Sequence, residues 1–224
     1  MKGQVKKKSH KKAVIICNGK VLTRASIAPL LRDKPLIVCA DGGANKARRL
    51  GITPDIIIGD LDSITSSTKK YFSRVPSIQL GSQNSTDLEK ALDYLLKLGI
   101  QHADVLGATG GRPDHMLSNF SILKKYRKRI SLRFIDPYGT LQIIEGTSKL
   151  DLAIGSLISL IPLGRCDGIT TTGLKYPLSN ETLELGVREG TSNEVIAPPV
   201  SIKVKKGCLL IFIAANPTNP FIKY

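Results

Sequence analysis

The stretch ADGGANKARRLGITPDIIIGDLDS, residues 40–63, holds four aspartates, Asp41, Asp55, Asp60 and Asp62, in a segment that is otherwise apolar or glycine-rich. Asp60 and Asp62 alternate in one loop with no base beside them in sequence. Like charges that close raise each other's proton affinity unless a cation lies between them. A hard divalent ion shared by carboxylates and substrate phosphates resolves the conflict, and Mg²⁺ is the ion expected. The glycines supply the complementary chemistry. Gly42 and Gly43 in ADGGAN, and Gly110 and Gly111 in GATGGR, offer backbone N–H groups and a helix start where a phosphate can rest. Arg112 adds a bidentate fork. Neither segment is a Walker loop or a dinucleotide fingerprint.

These residues need elements that bring them together. Residues 13 to about 136 alternate short β-branched runs (AVIIC, PLIVCA, DIIIG, SIQLG, ADVLG, LRFID) with segments of helical spacing, clearest in TDLEKALDYLLKL and DHMLSNFSILKKY. Continuous apolar strands separated by helices imply a parallel sheet covered on both faces, which takes ligands at the carboxyl ends of its strands. The polar exceptions fall at those ends: Asp41 to Asn45, Asp60 to Ser63, Gln83 through Thr86 to Asp87, Thr109 to His115, and Asp136.

Each acid also has a local explanation. Thr86, Asp87 and Glu89 read as the capping box of a helix, Asp114 as a cap of the next, and Asp41 as part of a turn. Lys90, one turn after Asp87, reaches a phosphate or pairs with Asp87. His115 and Asn119, also one turn apart, form a polar patch or bind substrate. Capping does not account for Asp60 and Asp62. Carboxylates, metal and phosphate cradles together point to phosphoryl or pyrophosphoryl transfer from a nucleotide, without naming the acceptor.

After Pro137 short alternating strands with turn signals replace the helical periods, as expected of an antiparallel β domain. The expected division is a basic disordered tail over 1–12, an α/β domain over 13–138 and a β-sandwich-like domain over 139–224. The 224 residues carry 33 Lys and Arg against 18 Asp and Glu, a net +15, of which the first twelve residues supply six lysines and no acid. The remaining excess suits an anionic substrate or an RNA surface. Cys17, Cys39, Cys166 and Cys208 form no close pair, so neither a zinc site nor a disulfide framework is expected, and a reducing cytoplasm is. No run approaches the length of a membrane span.

ADGGAN, IIGDLDS, STDLEKAL and GATGGRPDHMLSN, followed by TTTGLKYPL and REGTSNEV, stand in an order and spacing that resemble the thiamine pyrophosphokinase family over most of the chain. The resemblance implies an α/β nucleotide-binding domain joined to a β-sandwich-like domain, in a homodimer with two shared active sites. It implies transfer of the pyrophosphoryl group of ATP to the hydroxyethyl oxygen of thiamine, giving thiamine diphosphate and AMP. By the same resemblance Asp60, Asp62 and Asp87 hold metal, and these three with Asp114 are catalytic. Asp41, Gly42, Gly43, Asn45, Lys90, Gly110, Gly111 and Arg112 lie on the nucleotide side. Gln83, Asp114, His115 and Asn119 lie near thiamine, with Ser192 and Asn193 brought by the partner subunit. Animal members stack thiamine on a tryptophan. This chain has none, so an aliphatic wall or one of six tyrosines takes that place.

Two other readings compete. A pyrophosphokinase for another hydroxymethyl heterocycle, of the pterin type, shares a similar α/β half, but TTTGLKYPL and GTSN in a second domain favour thiamine. A basic RNA-binding protein or a nucleotide sensor is the rival from outside enzymes. Aromatic residues are only 5% of the chain and do not interleave with the basic ones, which disfavours RNA, and the full acid set disfavours a sensor.

Overall fold

A computed structural model describes residues 11–81 and 84–215. The basic tail through residue 10, together with Gln83, lies outside the described residues. Six strands form the parallel layer: β1 (Lys12–Ile16), β2 (Leu36–Ala40), β3 (Ile56–Gly59), β4 (Ser77–Gln79), β5 (His102–Leu106) and β6 (Ser131–Asp136). They pair in the order β6-β5-β1-β2-β3-β4.

These strands read as unbroken apolar runs because both faces are covered. Ile15, Val38, Ile58 and Val105 pack against Leu92 and Leu95 of α4 (Asp87–Lys97) and Leu123 of α5 (Pro113–Tyr126). The alternate residues Val14, Ile16, Cys39 and Ile57 meet Ile27 of α1 (Arg24–Leu31) and Ala44 and Ala47 of α2 (Gly43–Arg49). Phe72, which ends the short α3 (Ser66–Tyr71), joins that second layer. The capping box holds the start of α4: Thr86 Oγ1 accepts from the Glu89 amide and Glu89 Oε2 accepts from the Thr86 amide. From β1 the chain steps outward through β2, β3 and β4, then returns to lay β5 on the other side of β1. That reversal leaves a crevice above the carboxyl ends of β1 and β5, the place where open α/β sheets take ligands.

The remaining strands are β7 (Gly139–Leu150), β8 (Leu157–Pro162), β9 (Arg165–Thr172), β10 (Glu181–Glu184), β11 (Gly190–Glu194) and β12 (Val200–Ala214), with no helix among the described residues after α5. Strand β7 folds back antiparallel on β6, from Asp136↔Gly139 to Arg133↔Gln142. β12 pairs with β7 along its length, breaks register between Val204 and Leu209, and also pairs with β9 before that break and β8 after it. Ile158, Leu160, Ile169, Leu183, Ile202 and Ile211 fill the core of this part. The boundary expected at residue 138 thus falls in a turn between two paired strands, and one sheet runs through both parts.

Asp136 sets that turn. Its Oδ1 accepts from the amides of Tyr138 (2.8 Å) and Gly139 (3.0 Å), and its Oδ2 accepts from Thr109 Oγ1 (2.7 Å). This strand-end acid is therefore a brace, unlike the others expected along the same edge. The four cysteines are free and buried, and burial pushes the Cys17 thiol up to about 12. Among the described residues no helix is long and apolar enough to cross a membrane.

Candidate metal and phosphate site

Asp41 follows β2 with φ +41°, in the left-handed region that aspartate tolerates better than most residues. Its amide donates to the Ile58 carbonyl at 2.8 Å, and its own carbonyl accepts from Ala44 at 3.0 Å to begin α2. Close chain approach explains the glycines beside it. A Cβ on Gly43 would fall 1.8 Å from the Ile16 carbonyl oxygen, and one on Gly42 would fall 2.5 Å from Asn18 Nδ2.

Asp60 leaves β3 just after Gly59, and Asp87 opens α4. One carboxylate oxygen from each of Asp41, Asp60 and Asp87 lies within 4.8 Å of the other two. Asp41 is only 5% exposed, and its Oδ1 is buried without a hydrogen-bond partner. Burial raises its proton affinity most, opposed by hydrogen bonds from Ser63 and Gly42 and reinforced by the charges of Asp87 and Asp60. An orphaned buried carboxylate oxygen facing two more carboxylates fits a hard divalent cation.

Neighbouring residues hold this group in place. Lys90 is buried, and its Nζ donates to Asp87 Oδ1 at 2.9 Å, one of its two expected contacts. Asn45 is committed to the loop after β3: its Nδ2 donates to the Ser63 carbonyl at 2.8 Å, and its Oδ1 accepts from the amide and hydroxyl of Thr65. Gln79 Nε2 donates to the Asp60 carbonyl at 3.0 Å. Asp62 is exposed and lies outside the three-acid group. Its amide donates to Asp60 Oδ1 at 3.3 Å, and its carboxylate accepts from Ser63 Oγ at 2.9 Å.

The loop after β5 forms the second wall. Gly110, with φ +71°, sits against Lys20, where a Cβ would meet the Lys20 Cβ at 2.9 Å, while Gly111 faces open space. Arg112 is the N-cap of α5 with Pro113 behind it. Asp114 makes no helix cap. Its carboxylate takes the Arg112 guanidinium at 2.6 and 3.1 Å, and that hydrogen-bonded partner holds Asp114 down to about 2. Asn119 fastens α5 to the loop through the Ala108 carbonyl at 2.6 Å, and His115 is exposed at the start of the same helix.

Ser192 and Asn193 lie on β11. The Ser192 side chain is exposed, and its amide donates to Ser159 Oγ at 3.0 Å. Asn193 is buried and fully engaged: Oδ1 accepts from the amides of Tyr176 (3.1 Å) and Glu194 (2.9 Å), and Nδ2 donates to the Tyr176 carbonyl (2.8 Å). It therefore sets the position of Tyr176, a residue 62% exposed.

Gly59, Gln79, Lys20, Tyr138 and Tyr176 are the residues at or around the site that sequence reasoning missed. Gly59 carried a usable signal, a glycine ending an apolar run beside an acid. A cavity of about 440 Å³ lined in part by Gln101, Arg127 and Gln142 lies by the amino ends of β5 and β6, away from the acids.

Residues 27–134 match the thiamin pyrophosphokinase catalytic domain, and residues 144–209 match the thiamin pyrophosphokinase vitamin B1 binding domain. Thiamine pyrophosphokinase 1 of Oryza sativa subsp. japonica is 31% identical over 221 residues, covering 85% of this chain and 82% of its own. Thiamine pyrophosphokinase of Bacillus subtilis is 32% identical over 187 residues, covering 80% and 87%. The crystal structure of the Bacillus subtilis protein superposes with a TM-score of 0.82 at 28% identity, over 91% of this chain and 99% of that one. The thiamin pyrophosphokinase of Candida albicans shares the fold, with a TM-score of 0.84 at 20% identity and coverage of 92% and 90%.

Proposed function

The chain belongs to the thiamin pyrophosphokinase family, and from that premise we propose that its clustered carboxylates serve pyrophosphoryl transfer from ATP to the hydroxyethyl oxygen of thiamine. The observation that carries the reading is the approach of Asp41, Asp60 and Asp87 within 4.8 Å, with an orphaned buried oxygen on Asp41.

Asp60, Asp62 and Asp87, joined by Asp41, would hold Mg²⁺, which when bound neutralises charge on the β and γ phosphates. Lys90 fixes Asp87, Asn45 and Gln79 fix the loop that carries Asp60, and the backbone around Gly42, Gly43, Gly110 and Gly111 leaves room for the nucleotide. Arg112 offers its fork to the triphosphate. The pair it makes with Asp114 is exposed and weakly held, so a phosphate can take it over.

The thiamine hydroxyl oxygen bonds to the β phosphorus in line as the bond to the α–β bridging oxygen breaks, and the electron pair leaves with AMP. Positioning and electrostatics supply most of the rate. The hydroxyl proton goes to a carboxylate, Asp87 or Asp114.

Thiamine is assigned to the region of Gln83, Asp114, His115 and Asn119, completed by Ser192, Asn193 and Tyr176 of a second subunit in a homodimer. The exposed ring of Tyr176, set in place by Asn193, is the proposed substitute for the missing tryptophan. Apolar side chains left exposed at Leu157 on β8 and Ile196 after β11 are consistent with burial against a second copy. Four free, buried cysteines suit a cytoplasmic location. The test is direct: incubated with ATP, Mg²⁺ and thiamine, the protein should release AMP and thiamine diphosphate in equal amounts, and ATP consumption without thiamine diphosphate would refute the assignment.

A further inference from the structure

Lys20 and Tyr138 are 118 residues apart in sequence and meet above the loop that follows β5. Lys20 Nζ lies 3.4 Å from the Tyr138 hydroxyl and 5.1 Å from the ring centroid. Both side chains are exposed, Tyr138 to 58%, yet both have backbones anchored to that one loop. The Lys20 amide donates to the Thr109 carbonyl at 3.1 Å, and Tyr138 is set by Asp136, which Thr109 holds at 2.7 Å. An aromatic face and a cation are thus mounted rigidly beside the crevice where the strand order reverses, with Gly111 open next to them.

We infer that Tyr138 is the stacking platform for the base of the nucleoside triphosphate, with Lys20 holding the ring and adding positive charge beside it. The inference rests on the pyrophosphoryl-transfer reading above. Two observations choose the nucleotide over thiamine. First, Tyr138 follows β6, three strands from β2 where Asp41 stands, roughly 14 Å at about 4.8 Å per strand. An extended triphosphate and ribose bridge such a gap between metal-bound phosphates and base. Second, thiamine carries a permanent thiazolium charge. Among the described residues no carboxylate pairs with Lys20, whereas Lys175, beside the ring of Tyr176, is neutralised by Glu194 at 3.0 Å. An unneutralised ammonium repels a cationic ring and attracts a polyanion. Stacking selects a π face rather than a base edge, so the ligand class is a nucleoside triphosphate rather than ATP alone.

The test compares wild type, Tyr138→Leu and Tyr138→Phe by calorimetric titration with Mg²⁺-ATP, Mg²⁺-GTP and Mg²⁺-tripolyphosphate, alongside steady-state KM values for ATP and thiamine. Tyr138→Leu should weaken both nucleotides on the order of tenfold, the loss that goes with removing one base–aromatic stack. It should leave tripolyphosphate binding and the KM for thiamine unchanged, and Tyr138→Phe should restore nucleotide affinity. Undiminished ATP binding by a folded Tyr138→Leu protein, or a loss confined to thiamine, would overturn the assignment of Tyr138 alone. Failure of the wild type to bind either nucleotide would overturn the pyrophosphoryl-transfer reading together with this one.

Discussion

Gly59 approaches Asp41 so closely that a Cβ on it would fall 2.7 Å from the Asp41 Cβ and 3.1 Å from Asp87 Oδ1. Two of the three clustered acids therefore owe their spacing to a missing side chain. Gly59→Ala should move both carboxylates, cost about 1–3 kcal/mol through overpacking, and reduce kcat more than the KM for thiamine. A variant with wild-type kcat would show that the acids tolerate displacement. Steady-state kinetics with a thermal melt make the comparison.

Asp41 is buried beside two like charges with one oxygen unpartnered. In the absence of metal, Asp41→Asn should raise the melting temperature, since it removes a desolvated charge and its repulsions. Added Mg²⁺ should stabilise the wild type and stabilise this variant less. Activity should fall about a hundredfold or more, as several kcal/mol of transition-state stabilisation would be lost. Melting curves with and without Mg²⁺ read the two effects separately, and an equal Mg²⁺ shift in both proteins would remove Asp41 from the metal group.

Asn193 and Ser192 are neighbours with different duties. Asn193→Ala leaves the backbone of Tyr176 without its buried partners and should cost about 1–3 kcal/mol in denaturant unfolding. Ser192→Ala, at an exposed side chain, should leave stability near wild type, and any rise in the KM for thiamine then reports direct contact.

Subunit sharing can be tested by mixing Asp60→Asn with Tyr176→Leu under conditions where subunits exchange. If the acids and the Tyr176 ring reach one site from different chains, a mixed dimer has one doubly damaged site and one intact site. Activity should reappear on mixing. No recovery despite exchange, followed by native mass spectrometry, would mean that each chain builds its own site.

Asp114 is held down to about 2 by its hydrogen bond to Arg112. A depressed carboxyl contributes its stabilisation above the ordinary carboxylate range and loses it as pH falls towards 2. In carbon-detected NMR titrations Asp114 should titrate near pH 2 in the wild type and move up towards the ordinary carboxylate range in Arg112→Ala.

The parallel layer was legible because burial on both faces forces continuous β-branched runs, and α4 because Thr86, Asp87 and Glu89 spell its start. The boundary at residue 138 was less so: local texture changes there, but the pairing of β6 with β7 is invisible to composition. The acids at strand ends followed from topology. Which of them meet did not, since Asp41 joins Asp60 and Asp87 through a left-handed φ and a glycine at 59, while Asp136 is consumed by a turn and Asp62 leans on Ser63. Asn45 and Asn193 stand in matching motifs, yet their amides are spent on Thr65 and Tyr176, a distinction only three-dimensional partners reveal. Lys20 and Tyr138 left no signal, because nothing in either neighbourhood names the other.

The turn at Asp136 has a mechanical meaning. The two family domains meet between residues 134 and 144, where many two-part enzymes keep a flexible joint. Here that interval is spanned by the ladder of β6 on β7, continued by β12. Opening the halves like a clamshell would tear that ladder. Enclosure of ATP and thiamine then falls to loops and exposed side chains, and in the proposed homodimer to the second copy as well.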